Sequence, residues 1–138
     1  MAMATVIVAA GVIVERDRVL LTQRKAGGHL EGLWEFPGGK ADEGEDPRAA
    51  VARELEEELG IHAVAGDILD VTFHHYVDVN RSVLLLFFEA TRTKDSPEPT
   101  ARDVAAFHWA AHEELGSLAF PPADLGILAK VKRLLATG

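Results

Sequence analysis

The sequence predicts a mixed α/β (α+β) layered domain, and three observations carry that expectation. Four β-rich segments, Thr5 to Val14, Arg18 to Arg24, Ile68 to Val77 and Ser82 to Thr91, fall into two pairs, each joined by a short polar turn. A helix is bracketed between Asp46-Pro47 and Gly60, and a second helix over Leu125 to Leu135 repeats apolar residues at helical spacing. Strands interspersed with two helices pack as layers around a shared core. With 138 residues, 48% of them hydrophobic, the chain suits one domain over 1–138 that can bury such a core. No internal repeat, second domain or low-complexity segment is visible.

Met1-Ala2-Met3 reads as a second start or a cloning remnant and is set aside. Thr5 to Val14 and Arg18 to Arg24 flank Glu15-Arg16-Asp17 and read as a hairpin. Asp46 offers an N-cap acceptor, Pro47 has the φ of a first helical position, and Gly60 stands where a helix stops, so a helix is expected over 47–59. Ile68 to Val77 and Ser82 to Thr91 surround the turn Asp78-Val79-Asn80-Arg81. Lys94 to Thr100 is a loop by composition, and Val104 to Trp109 is a short strand before the terminal helix. Trp34, Phe73, Tyr76, Phe87, Phe88 and Trp109 read mainly as core.

The formal charge of −8 argues against long RNA or DNA as a partner, because such binding needs clustered Lys and Arg. An absence of cysteine removes disulfides, thiol catalysis and Cys-type zinc sites, and fits a reducing cytoplasm. The apolar runs Val6 to Val14 and Val83 to Phe88 are too short to cross a bilayer, and the first has no basic flank or cleavage signal, so the expectation is a soluble, unprocessed protein with no membrane partner. His74-His75 point to opposite faces of a strand and His108 and His112 straddle a strand end, which is no zinc constellation.

The 47–59 helix carries the chemistry. At about 100° per residue, Glu54, Glu57 and Glu58 share an arc of roughly 100°, beside an apolar stripe of Val51, Ala52, Leu55 and Leu59. Three carboxylates so close repel one another unless they are solvated, protonated or neutralised by cations. Hard oxygen ligands suit Mg²⁺ or Mn²⁺, and Mg²⁺ completes its octahedron with water and phosphate oxygens, so this face matches a diphosphate. Arg53 lies one turn before Glu57 and can orient its carboxylate, whereas Glu56 points elsewhere. Gly38 and Gly39, after Trp34-Glu35-Phe36-Pro37, let backbone approach a ligand closely.

Gly39, Glu45, Arg53, Glu54, Glu57, Glu58 and Gly60, with Leu55 and Ile61 in the aliphatic slots, resemble the Nudix box without departure. The resemblance implies an α/β/α sandwich with a mixed β-sheet and a metal-dependent hydrolase of nucleoside diphosphates linked to another group. Mg²⁺ is the implied cofactor, with Mn²⁺ able to substitute. The implied metal ligands are the Gly38 carbonyl, Glu54, Glu57 and Glu58, with Glu54 accepting the proton of the attacking water.

Beyond the box, the chain looks closest to the MutT-like branch, which hydrolyses nucleoside triphosphates to monophosphate and pyrophosphate. Arg24, in Leu21-Thr22-Gln23-Arg24-Lys25, stands where such enzymes contact nucleotide, and His29 lies at a matching distance. Trp34 to Lys40 matches the segment entering the box, bringing Gly39 and Lys40 to the substrate's phosphates. Asp103, six residues before Trp109, resembles an additional acidic metal ligand that is Glu in the family.

Phe120-Pro121-Pro122-Ala123-Asp124 takes the place of a base-contacting Phe-Pro-Pro-Ala-Asn segment and departs from it at Asp124. An ionised Asp124 only accepts, which favours an exocyclic amine such as cytosine N4; a protonated one also donates, leaving 8-oxoguanine open. The alternative is that Asp124 caps the C-terminal helix. Hydrolysis of a nucleoside diphosphate sugar or a dinucleoside polyphosphate is the competing activity. A non-catalytic nucleotide sensor is expected to lack box carboxylates, and none is missing. The expected partner is a small nucleotide, bound by a monomer or homodimer.

Overall fold

The computed structural model describes residues 4–137, so Met1 to Met3 and their reading as a start or remnant lie outside the described residues. The chain runs β1 (Thr5–Val12), β2 (Val14–Glu15), β3 (Arg18–Gln23), β4 (Trp34–Glu35), β5 (Gly38–Lys40), α1 (Pro47–Leu59), β6 (Ala63–Tyr76), β7 (Arg81–Arg92), β8 (Ala106–Ala111) and α2 (Leu125–Thr137). Single 3₁₀ turns occupy Val77–Val79, His112–Glu114 and Pro122–Asp124.

One sheet has the order β5-β1-β7-β6; β1 and β7 are parallel and the other neighbours antiparallel. In the second sheet β8 runs along β3, while β2 and β4 pair with the start and end of β3. Alternating side chains feed two cores. Ala10, Val12, Val19, Leu21 and Phe87 pack with Ile127, Leu128, Val131 and Leu135 of α2. Their neighbours Ala9, Ile13, Leu20 and Phe88 pack with Ala50, Val51, Leu55 and Leu59 of α1. The sheets are therefore the middle layer of an α/β/α sandwich. No helix among the described residues is long and apolar enough to cross a membrane.

Helix α1 has the bounds its caps dictate. The Asp46 side chain accepts from Arg48 N at 2.8 Å, and Gly60 adopts φ 70°, its N–H donating to the Glu56 carbonyl at 2.9 Å. The first hairpin differs from expectation. Only Val14–Glu15 pairs back on β3, through a turn with positive φ at Arg16 (51°) and Asp17 (61°), the conformation of a two-residue hairpin turn. Strand β1 instead pairs in parallel with β7, from Thr5↔Ser82 to Val12↔Glu89. Buried Ile13 sits where the chain passes from one sheet to the other.

Strand β6 begins at Ala63 rather than Ile68, because register shifts between Ala65 and Asp70 break the alternation that marks a strand. The last short strand falls at 106–111, two residues later than its apolar pattern suggests, and the expected turn residue Arg81 is already in β7. Strands β4 and β5, too short and glycine-rich to read locally, border the site. Phe73 is 63% exposed, not core, and Tyr76 lines a cleft.

Leu55 is fully buried beneath the acidic face of α1. Leu55→Ala is expected to lower the unfolding free energy by about 2–5 kcal/mol in a urea titration. Glu56→Ala, on the exposed side, should stay within about 0.5 kcal/mol of wild type.

Candidate active site

The site begins where α1 lies against β5. A side chain at Gly39 would place its Cβ 2.6 Å from the Glu54 carboxyl carbon, and one at Gly38 would meet the Ala9 carbonyl oxygen at 2.2 Å. Glycine therefore lets β5 fit between β1 and the acidic face of the helix. Gly38 N–H donates to Glu58 Oε1 at 3.1 Å.

Arg53 ties this face to the preceding loop. Its Nε and Nη2 donate to the two Glu45 oxygens at 2.9 Å each, and Nη2 also reaches the Lys40 carbonyl at 3.1 Å. Nη1 donates to Glu54 Oε1 at 3.0 Å and to Glu57 Oε2 at 3.2 Å. Glu45 in turn accepts from Asp42 N at 2.9 Å. One guanidinium thus orients two of the three helix-face carboxylates.

Electrostatics sort the acids by partner. Hydrogen bonding from Arg53 holds Glu45 down to about 2. Burial pushes Glu58 up to about 9, helped by the charges of Glu35 and Glu54 and opposed by the Gly38 N–H. Glu54 is raised by burial, with Arg53 opposing. Each carboxylate has its own N–H or cation partner, Asp103 pairing with Lys25, and among the described residues no three acids or histidines are drawn to one point as a metal cage. Oxygen donors whose protons are held by burial and, second, by neighbouring carboxylate charge fit a hard divalent cation, which would favour their ionised form.

Two clefts meet at this point. An apolar one of about 230 Å³ is walled by Val6, Val8, Val83, Leu85, Phe36 and Tyr76, with Asp124 in its lining. The other, about 590 Å³, is lined by Glu54, Glu58, Asp103, Lys25 and the loop through Gly27 and Gly28. Arg24, His29, Glu35, Gly38, Gly39 and Lys40 line both. Glu57 is held beside Glu54 by Arg53, its side chain 54% exposed.

Asp124 is 4% exposed, and its Oδ2 has no hydrogen-bond partner. Burial and then the charge of Glu35 push its carboxyl up to about 8, against Arg24 and the Phe36 N–H. A neutral acid in a cleft wall offers one donor and one acceptor to a ligand. His29 Nε2 lies 3.0 Å from Asp78 Oδ2 and its ring meets Tyr76 edge-on at 5.1 Å, linking the Arg24–Leu33 loop to the turn after β6.

Arg24 donates Nε to the His29 carbonyl at 2.9 Å and Nη1 to both Glu35 oxygens at 2.9 Å. Sequence reasoning assigned no contact to Glu35 or to Glu45. For Glu35 the signal lies in the register and not in the sequence: Thr22↔Glu35 is a cross-strand pair, so Arg24 and Glu35 are opposite charges at diagonal positions. For Glu45 the signal was an acid placed just before a helix that carries an inward arginine.

The NUDIX domain model matches residues 5–131 of the chain. The 8-oxo-dGTP diphosphatase of Escherichia coli (strain K12) is 34% identical over 128 residues, 92% of this chain and 96% of that protein. The CTP pyrophosphohydrolase of the same strain is 36% identical over 126 residues, 90% of each. The solution structure of the E. coli ORF135 protein superposes with a TM-score of 0.79 at 32% identity, covering 98% of this chain and 94% of that one.

The raised carboxyl of Glu58 sets a pH dependence. Between its ordinary 4.5 and about 9, the folded protein holds a proton that the unfolded chain releases, so stability falls as pH rises through that window. In EDTA the melting temperature is expected to drop from pH 5 to pH 9. The drop should be shallower in Glu58→Gln, with the remainder from Asp124 and the other raised acids; identical slopes would contradict the assignment.

Proposed function

The chain belongs to the Nudix family, and from that premise we propose that it hydrolyses nucleoside triphosphates to monophosphate and pyrophosphate at a divalent metal site. Mg²⁺ is the proposed ion, with Mn²⁺ as a substitute. One observation carries this reading: a cleft lined by the acidic helix face adjoins an apolar cleft whose lining includes a buried acid with no hydrogen-bond partner at Oδ2. Phosphates fit the first part and a base the second. Residues 1–138 act as one domain in this reading, as a monomer or homodimer in the cytoplasm, on a small nucleotide rather than long nucleic acid.

The Gly38 carbonyl, Glu54, Glu57, Glu58 and Asp103 would hold the metal. When bound, it polarises the phosphoryl oxygens and acidifies a coordinated water. Glu54, fixed by Arg53 and crowded against Gly39, would accept a proton from the attacking water. Arg53 Nη1, bonded to both, keeps Glu57 beside Glu54. Arg24 and Lys40 present cationic donors at the junction, where the phosphates leave the nucleoside, and Gly39 and His29 shape the passage.

Asp124 selects the base. Held neutral near pH 7, its carboxyl can accept from cytosine N4 and donate to the adjacent ring nitrogen, and it can pair in the same way with the donor and acceptor of an oxidised guanine. The names of the two E. coli relatives, an 8-oxo-dGTP diphosphatase and a CTP pyrophosphohydrolase, support testing both bases.

A Mg²⁺-dependent screen with products identified by mass is expected to show dCTP, CTP or 8-oxo-dGTP converted to monophosphate plus pyrophosphate. Turnover of nucleoside diphosphate sugars or dinucleoside polyphosphates alone would contradict the triphosphate assignment. Glu57→Gln should lower kcat by roughly 10²–10⁴-fold with an unchanged melting temperature. Asp124→Asn should shift the ratio of kcat/KM between 8-oxo-dGTP and dCTP by about tenfold, the size of one base contact.

A further inference from the structure

Glu35 sits between the two clefts and has no role in the chemistry above. It is half-buried on β4, it lines both clefts, and both of its oxygens accept from Arg24 Nη1 at 2.9 Å. Its charge reaches both ends of the site, acting on Glu58 on the metal side and on Asp124 on the base side. A carboxylate there adds repulsion between buried acids. A half-buried ion pair contributes little net stability, so fold stability does not account for this one.

Its geometric effect is specific. With Nη1 on Glu35 and Nε on the His29 carbonyl, the Arg24 guanidinium is held at two of its three nitrogens, and none of these bonds uses Nη2. A planar guanidinium held on both sides, at Nε and at Nη1, has its plane fixed and presents Nη2 in a set direction. Arg24 lies where the apolar cleft passes into the acidic one, the position of the phosphate nearest the nucleoside.

Resting on the nucleotide reading above, we propose that Glu35 is a positioning residue that fixes Arg24 at the junction of the two clefts, so that Nη2 of the guanidinium binds the nucleoside-proximal phosphate. Glu35 acts through Arg24, on substrate binding and not on the metal-assisted step. The pair couples the loop that carries His29 to the strand that enters the box.

The test combines steady-state kinetics on the triphosphate turned over best with calorimetric titration of its monophosphate, dCMP or 8-oxo-dGMP. It uses Glu35→Ala, Glu35→Gln, Arg24→Ala and the double variant Arg24→Ala/Glu35→Ala, each checked for folding by its melting curve. Glu35→Ala is expected to raise KM about tenfold with kcat within about threefold, the pattern of lost binding rather than lost chemistry. Monophosphate affinity should weaken by a similar factor. Glu35→Gln, whose amide oxygen still accepts one bond, should fall between Glu35→Ala and wild type.

Because the effect runs through Arg24, the double variant should match Arg24→Ala within about twofold. A folded Glu35→Gln and Glu35→Ala with wild-type KM would overturn the proposal. So would a fall in kcat at constant KM, which places Glu35 on the metal side, or effects that multiply in the double variant. A wild-type protein that hydrolyses no triphosphate and binds neither monophosphate fails the functional reading itself; one that does both, with flat variant ratios, fails this proposal alone.

Discussion

The structure turns on the contact between α1 and β5. At Gly38 and Gly39 the chain has no side chains, and a Cβ at either position would collide with the Ala9 carbonyl or the Glu54 carboxyl. That absence allows a helix whose face carries Glu54, Glu57 and Glu58 to lie directly on a strand whose other neighbour is β1. The carboxylates stand at the edge of the sheet instead of one side-chain layer above it, and both clefts open there. Close packing and catalytic placement share a cause.

Charge is managed around that contact by arginines. Arg53 sits among Glu45, Glu54 and Glu57 and reaches the Lys40 carbonyl, so the loop before the helix and the functional face of the helix are set by one group. Arg24 plays the matching part at the junction by pairing with Glu35. Glu58 on one side and Asp124 on the other, neither of them hydrogen-bonded by these arginines, are pushed up by burial. Strongly shifted acids facing a cleft are where a protein places its ligand chemistry. In the proposed reading one would face the polyphosphate and the other the base.

Much of this was legible in the chain. Helix α1 could be bounded from Asp46, Pro47 and Gly60 because capping is local, and its acidic arc followed from helical geometry. Nonlocal pairing was not legible. The parallel partner of β1 lies far along the chain in β7, Thr5 opposite Ser82, and nothing in Thr5 to Val14 distinguishes that strand from a simple hairpin arm. The bulges in β6 erased the alternation over Gly66 and Asp67, and the two-residue β4 is too short to carry a period. Within the site, Arg24 was legible as a cation near nucleotide, but its bond to Glu35 requires the register of β3 on β4. The burial of Asp124, which decides its protonation, depends on packing between the Pro122–Asp124 turn and the sheet.

The central claim is that the two clefts form one nucleotide site, with metal and phosphates against α1 and base against Asp124. A crystal structure with Mn²⁺ and a non-hydrolysable dCTP analogue, read at the manganese absorption edge, tests this most directly. The account predicts an anomalous peak among Glu54, Glu57, Glu58 and the Gly38 carbonyl, with the base in the apolar cleft and hydrogen-bonded to Asp124. Manganese bound away from α1, or a base lying outside that cleft, would contradict it.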